Sequence, residues 1–290
     1  MNKIGCHGLV WTGTFDAQGI RFAAEKTKQA GFDLIEYPLM DPSTFDVGAA
    51  REALAEYGLE VSASLGLSDA TDVTSEDPTV VAAGEALLLK AVDVLADLGG
   101  THFCGVIYSA MRKYMEPMTS EGLANSQRVI GTVADHAAER GVSVSLEVVN
   151  RYETNVLNTA RQAMVYLAQV DRPNLGVHLD SYHMNIEESD MFAPVMDAAP
   201  KLRYVHIGES HRGYLGTGSV DFDTYFKALA RVGYDGPITF ESFSSAVVAP
   251  DLSRMLGIWR NLWQDNDELG AHANEFIRNK LVAVDSIRLH

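Results

Sequence analysis

Four short apolar runs each carry one group that burial would penalise: Glu147 in SLEVV, Asp180 in VHLD, His206 in YVHIG and Glu241 in TFES. A carboxylate in such a run is costly unless it is paired or bound to a metal. Each of the four stands near the C-terminal end of its run. If they converge, three like charges sit together and require a compensating cation. Three oxygen donors and one imidazole nitrogen, with no thiolate, suit Mn2+, Co2+ or Mg2+ better than a structural zinc. A single strand-end Glu or His is usually a satisfied structural group. Four in successive runs point to a metal centre.

Polar groups follow the same runs. Glu147 is succeeded by Asn150-Arg151-Tyr152-Glu153, Asp180 by Ser181-Tyr182-His183-Met184-Asn185, and His206 by Glu209-Ser210-His211-Arg212-Gly213. Taken singly, these are loop side chains or helix caps. Together they offer the density of donors and acceptors that a polyol or sugar requires.

The elements that must position these groups alternate along the chain. Strands are expected at Lys3–Gly8, Phe32–Tyr37, Glu60–Leu65, Thr101–Ile107, from Val142, Asn174–Asp180, Leu202–Gly208 and Pro237–Ser242. Helices are expected at Ala17–Gln29, Phe45–Tyr57, Pro78–Leu98, Ser120–Arg140, Thr159–Val170, Met191–Ala199 and Asp221–Val232, then near Asp251–Trp263 and Asp267–Val284. Gly58 is placed to stop the second helix and Asp221 to cap a later one. Strict alternation without a linker means right-handed βαβ units on a parallel sheet. Eight units in 290 residues match one α/β domain, 1–290, a (β/α)8 TIM barrel with an extra C-terminal helix. The open doubly wound sheet is the rival, but CHGLVWTG after the first strand lacks a G-x-G-x-x-G turn. In a barrel the strand C-termini form the active face, which is where the four groups fall.

Composition narrows the function. Lys and Arg number 23 against 39 Asp and Glu, a formal net charge of −16, which disfavours nucleic acid and anionic membranes as partners. No run of ~18 apolar residues spans a membrane and no leader is evident at MNKIGCHGLVW, so neither a membrane nor export is expected. Two cysteines, Cys6 and Cys104, make no disulfide framework and suit a cytoplasmic location.

EVVNRYE, LDSYHMNIEE, VHIGESHRG and TFESF resemble the D-allulose (psicose)/D-tagatose/L-ribulose 3-epimerases of the xylose-isomerase-like barrel superfamily. The likeness runs from KIGCHG through GIWRNLW to the last helix. It implies a metal, usually Mn2+ or Co2+, on Glu147, Asp180, His206 and Glu241. It implies that a ketose binds that metal through O2 and O3, that C3 is deprotonated to a cis-enediolate, and that Glu147 and Glu241 exchange the proton on opposite faces. Glu153, His183 and Arg212 would hold the O1–O3 end, with His183 and Arg212 neutralising developing charge. His7, Tyr108-Ser109-Ala110-Met111 and Ser242-Phe243 differ from some members where the pocket receives C4–C6. The nearest likeness is to members acting on L-ribulose and D-allulose. Family members associate, so a homodimer or homotetramer is expected, with Trp259, Trp263, Ile277 and Leu281 forming a helical stripe.

Three other readings stand beside this one. An aldose–ketose isomerase of the same superfamily would move hydrogen between C1 and C2. A DNA endonuclease barrel would need many His for zinc and a basic face, against the charge of −16. A non-catalytic sugar-binding barrel would bind without turnover.

Overall fold

The computed structural model describes residues 2–288. The expected domain 1–290 therefore includes Met1 and Leu289-His290, which lie outside the described residues. Eight parallel strands close in sequence order: β1 Ile4–His7, β2 Leu34–Pro38, β3 Glu60–Ser64, β4 His102–Gly105, β5 Ser143–Val148, β6 Leu175–Asp180, β7 Leu202–Ile207 and β8 Ile238–Phe240. β8 pairs with β1 through Cys6 and Phe240.

The strand sequences explain which way each residue faces. Val144, Leu146 and Val148 of β5 alternate with Ser145 and Glu147; Val177 and Leu179 of β6 alternate with His178 and Asp180. The apolar set is fully buried against the helices. The polar set points into the barrel, where Tyr204 Oη sits 2.6 Å from Ser62 Oγ, 2.8 Å from Thr239 Oγ1 and 2.7 Å from Glu36 Oε2. The interior is thus a polar, hydrogen-bonded layer under the mouth.

The barrel is ringed by α1 Ala17–Gln29, α2 Val47–Tyr57, α3 Pro78–Asp97, α4 Ser120–Glu139, α5 Ala160–Val170, α6 Ser181–Glu187, α7 Ala193–Ala198 and α8 Phe222–Val232. After β8 come α9 Pro250–Met255 and the C-terminal α10 Asn266–Arg288. Asp16, Asp46, Asp77, Thr119, Thr159 and Asp221 each accept a backbone N–H at a helix start. Gly58, at φ 61°, ends α2 in the left-handed conformation.

Three expectations change. The segment after β6 is a helix, because Asp180 caps it through Tyr182 N at 2.8 Å. The helix expected over Asp251–Trp263 stops at Met255, where Gly257 takes φ 67°. The Trp259 stripe is accordingly broken: Trp263 and Ile277 are buried, but Trp259 is 74% exposed and lies off any helix. Shorter shifts affect α2, which begins at Val47 after its Asp46 cap, and α7, which spans only Ala193–Ala198. No helix among the described residues is long and apolar enough to cross a membrane.

Candidate active site

Glu147 on β5, Asp180 on β6, His206 on β7 and Glu241 just after β8 meet at the mouth. One ligand atom of each lies within 4.8 Å of the others, and all four residues are buried. His206 Nδ1 approaches Glu241 Oε2 at 3.5 Å and Glu147 Oε1 at 3.9 Å. Its other nitrogen, Nε2, meets Glu36 Oε2 at 2.8 Å, which fixes the ring. Nδ1 is buried and has no hydrogen-bond partner. An orphaned imidazole nitrogen facing three carboxylates fits a divalent cation, and the donor set is one that hard and borderline ions accept. These four residues form a candidate metal site.

Electrostatics differentiate the carboxyls. Burial, and then the charge of Glu241, push Glu147 well above the usual carboxylate range. Burial also pushes Glu241 up, but Arg212 and His206 outweigh it and hold Glu241 well below that range. Burial would lower His206, yet Glu36 and Glu241 reverse it and raise it well above its ordinary value.

Arg212 supplies the cation next to the quartet. Its Nη1 lies 2.9 Å from Asp180 Oδ2 and 2.7 Å from Glu241 Oε2, and its guanidinium stacks 3.9 Å from the Tyr182 ring centroid. The backbone at Arg212 is left-handed, φ 61°, a conformation that costs a non-glycine residue on the order of 1 kcal/mol. Its N–H donates to Glu209 O at 2.8 Å and its carbonyl accepts from Ser242 Oγ. Glu209, buried, accepts from the N–H groups of Ser210 and Gly216 and so shapes the whole loop. Gly208 leaves the room this requires: a Cβ there would come within 2.6 Å of Arg212 Nη1.

His183 on α6 points Nε2 at the quartet, 3.7 Å from Glu147 Oε1 and 3.8 Å from Asp180 Oδ2. Its Nδ1 receives the backbone N–H of Asn150 at 3.1 Å and lies 2.9 Å from Asn150 Nδ2. A backbone N–H can only donate, so Nδ1 is the acceptor and the ring proton sits on Nε2. The 3.4 Å approach of Arg212 Nη2 to Nε2 is then a contact of two donors, both available to a ligand. Burial and Arg212 hold His183 well below its ordinary value. With Nδ1 occupied as an acceptor, the ring offers its Nε2–H to a ligand. Asn150 Nδ2 also binds Glu153 Oε1 at 2.8 Å, and burial, against Arg212 and this bond, raises Glu153 to about 7.

His7 closes the opposite side, with Nε2 3.1 Å from Ser64 Oγ and 3.4 Å from Glu36 Oε1. Its Nδ1 accepts from Leu9 N at 3.2 Å. Glu147, Glu153, His183, His206, Arg212, Glu241 and His7 all line one cleft, walled by Leu9, Met111 and Phe243.

Glu36 and Ser64 escaped the reading of the sequence, and Asn150 appeared there only among the polar groups after β5. Glu36 carried a usable signal, since LIEYP holds a carboxylate inside an apolar strand as SLEVV does. Ser64 carried none; it is an ordinary polar strand residue until its partner is seen.

Residues 24–273 match the xylose isomerase-like TIM barrel family. The chain is 75% identical to a ketose 3-epimerase of Arthrobacter globiformis, over 99% of this chain and 100% of that one. It is 54% identical to an L-ribulose 3-epimerase of Methylomonas sp. (strain DH-1), over 96% of this chain and 97% of the relative. A crystal structure of a D-allulose 3-epimerase from Methylomonas sp. in complex with D-allulose superposes with a TM-score of 0.95 at 53% identity, covering 96% of this chain and 97% of the other.

Proposed function

The chain belongs to the xylose isomerase-like TIM barrel family, and from that premise we propose that it is a ketose 3-epimerase acting on free ketoses of the L-ribulose, D-allulose/D-fructose and D-tagatose class. One observation carries the reading. Glu147 and Glu241 come from strands three places apart around the barrel, yet an oxygen of one lies within 4.8 Å of an oxygen of the other, beside Asp180 and His206. Two carboxylates reaching one point from different strands suit proton removal on one face of a carbon and return on the other. The curated relatives and the allulose complex support the same assignment.

Glu147, Asp180, His206 and Glu241 would hold a divalent ion, Mn2+ first and Co2+ or Mg2+ as alternatives. Such an ion supplies Lewis-acid polarisation of the ketose carbonyl, which acidifies the neighbouring C3–H. The rest is done by side chains. One glutamate accepts the C3 proton and the other donates to the opposite face, with roles set by the configuration of the substrate. Burial and the charge of Glu241 raise Glu147, while Arg212 and His206 hold Glu241 down, so the two carboxyls differ in proton affinity as an acid–base pair requires. His183 Nε2–H and the Arg212 guanidinium donate to substrate oxygens as negative charge develops on them. Glu153 accepts from a hydroxyl at the same end. His7, held by Ser64 and Leu9 N, faces the distal end, and Leu9, Met111 and Phe243 keep water from the reacting carbons.

Two further parts complete the reading. The exposed Trp259 and Met255 support a homodimer or homotetramer, which a monomeric mass by light scattering at micromolar concentration would refute. Two free, buried cysteines support a cytoplasmic location.

The experiment is turnover of D-fructose or D-allulose in D2O with Mn2+ present. Deuterium arriving at C3 supports the epimerase. Label at C1 instead moves the assignment to an aldose–ketose isomerase, and no turnover of any pentulose or hexulose moves it to a sugar-binding barrel.

A further inference from the structure

We propose that the barrel interior beneath the quartet holds a second, thiol-containing site for a soft divalent cation of the zinc or cadmium class, built from Cys104, His178 and His206. One ligand atom from each lies within 4.8 Å of the others, and all three residues are buried. The strand registers place the first two one layer below the mouth. Cys104 on β4 pairs with Ser145, two residues before Glu147, and His178 stands two residues before Asp180.

A cluster alone would carry little; His178 adds an independent observation. It is fully buried, and neither of its ring nitrogens has a hydrogen-bond partner. Buried imidazoles are normally satisfied, so two open nitrogens on one ring call for a ligand. Its Nδ1 lies 3.8 Å from Glu147 Oε2, and its ring stands edge-on to His206 at 4.1 Å between centroids. Cys104 Sγ lies 3.6 Å from Ala63 O.

The donor chemistry separates the two sites. One sulfur and two imidazole nitrogens suit Zn2+ or Cd2+, whereas the quartet offers three carboxylates and one nitrogen. Binding is an acid–base step without electron transfer. The S–H bond of Cys104 breaks, an S–metal bond forms, and the proton leaves to solvent. His206 belongs to both sets. Glu36 occupies its Nε2 at 2.8 Å, so Nδ1 is its one free lone pair. The two sites therefore exclude each other, and a soft cation below the mouth displaces the hard ion above it.

Cadmium titration tests this through binding rather than turnover, so its outcome stands apart from the epimerase assignment. Metal-free wild-type protein is expected to develop a thiolate-to-cadmium charge-transfer band in the ultraviolet, saturating at one Cd2+ per chain. Cys6→Ser should keep the band, while Cys104→Ser and Cys104→Ala should lose it. In Mn2+-loaded wild type, the band should grow in step with free Mn2+ seen by electron paramagnetic resonance. His178→Gln should raise the Cd2+ needed at least tenfold and leave Mn2+ affinity within a factor of two. No band in the wild type, a band surviving both Cys104 variants, a band without Mn2+ release, or Mn2+ release without a band would each overturn the proposal.

Discussion

Glu36 on β2 receives the Nε2–H of His206 on β7 at 2.8 Å, across the barrel interior. The same Oε2 accepts from Tyr204 Oη at 2.7 Å. Metal-binding imidazoles are commonly held this way by a carboxylate, which fixes the tautomer and raises ligand basicity. Glu36→Gln keeps the shape but removes the charge. We expect divalent-metal affinity to fall about 10- to 100-fold, with the fold retained. Calorimetric titration of metal-free protein with Mn2+ reads this directly. Affinity unchanged within a factor of two would remove Glu36 from the metal site.

Asn150 splits one amide between two groups, Glu153 Oε1 at 2.8 Å and His183 Nδ1 at 2.9 Å. Asn150→Ala leaves His183 its backbone donor but lets Glu153 swing. Losing one such bond at a buried site costs about 1–1.5 kcal/mol, hence roughly a tenfold drop in kcat/KM. The loss should fall mainly on KM, with Mn2+ affinity unaltered. Steady-state kinetics on the preferred ketose decide it, and a pure kcat effect would count against the positioning role.

The barrel was legible because eight apolar strand runs alternate with helical stretches along the whole chain without a linker. The four converging residues were legible because each breaks the apolar pattern near a strand end. The interior was not. Ser62, Thr239 and Glu36 also break the pattern, yet lie deeper and serve Tyr204. Nothing in a linear pattern ranks Glu36 below Glu147; only depth along the strand and the partner across the axis do so. The helix after Asp180 was missed because seven residues are too few to show a helical stripe, and its cap is itself one of the four site residues. The end of α9 turns on Gly257 at φ 67°, and a glycine alone does not announce a stop.

Asp221 caps α8, the helix that lays Tyr225 and Phe226 against the barrel, by accepting from Thr224 N at 3.0 Å and Thr224 Oγ1 at 2.6 Å. Those bonds with Thr224 hold Asp221 below its ordinary value. Asp221→Ala should cost about 1 kcal/mol at neutral pH, the usual worth of a cap. Because the folded value is depressed, that contribution is full above the unfolded value, about pH 4, and disappears as pH falls through the folded one. Urea midpoints of both proteins should differ by a constant amount from neutrality down to about pH 5 and converge below about pH 4. A gap that persists in acid would mean the cap does not act through its charge.

Arg212 is held from behind. Trp263 Nε1 donates to Ser242 Oγ at 3.0 Å, and that hydroxyl donates to the Arg212 carbonyl. This clamp opposes the strain of φ 61° and keeps the guanidinium flat on Tyr182, aimed at Asp180 and Glu241. Two substitutions separate holding from doing. Ser242→Ala releases the backbone without touching the side chain, so KM should rise several-fold while Mn2+ affinity stays put. Arg212→Lys keeps the charge but loses both the stack and the planar fork, and should lower kcat/KM by about 100-fold. Trp263→Phe should fall between wild type and Ser242→Ala, since the Ser242 hydroxyl can still reach the carbonyl. If Ser242→Ala behaves as wild type, the left-handed turn is held by Glu209 alone, and the route from the C-terminal segment to the site does not exist.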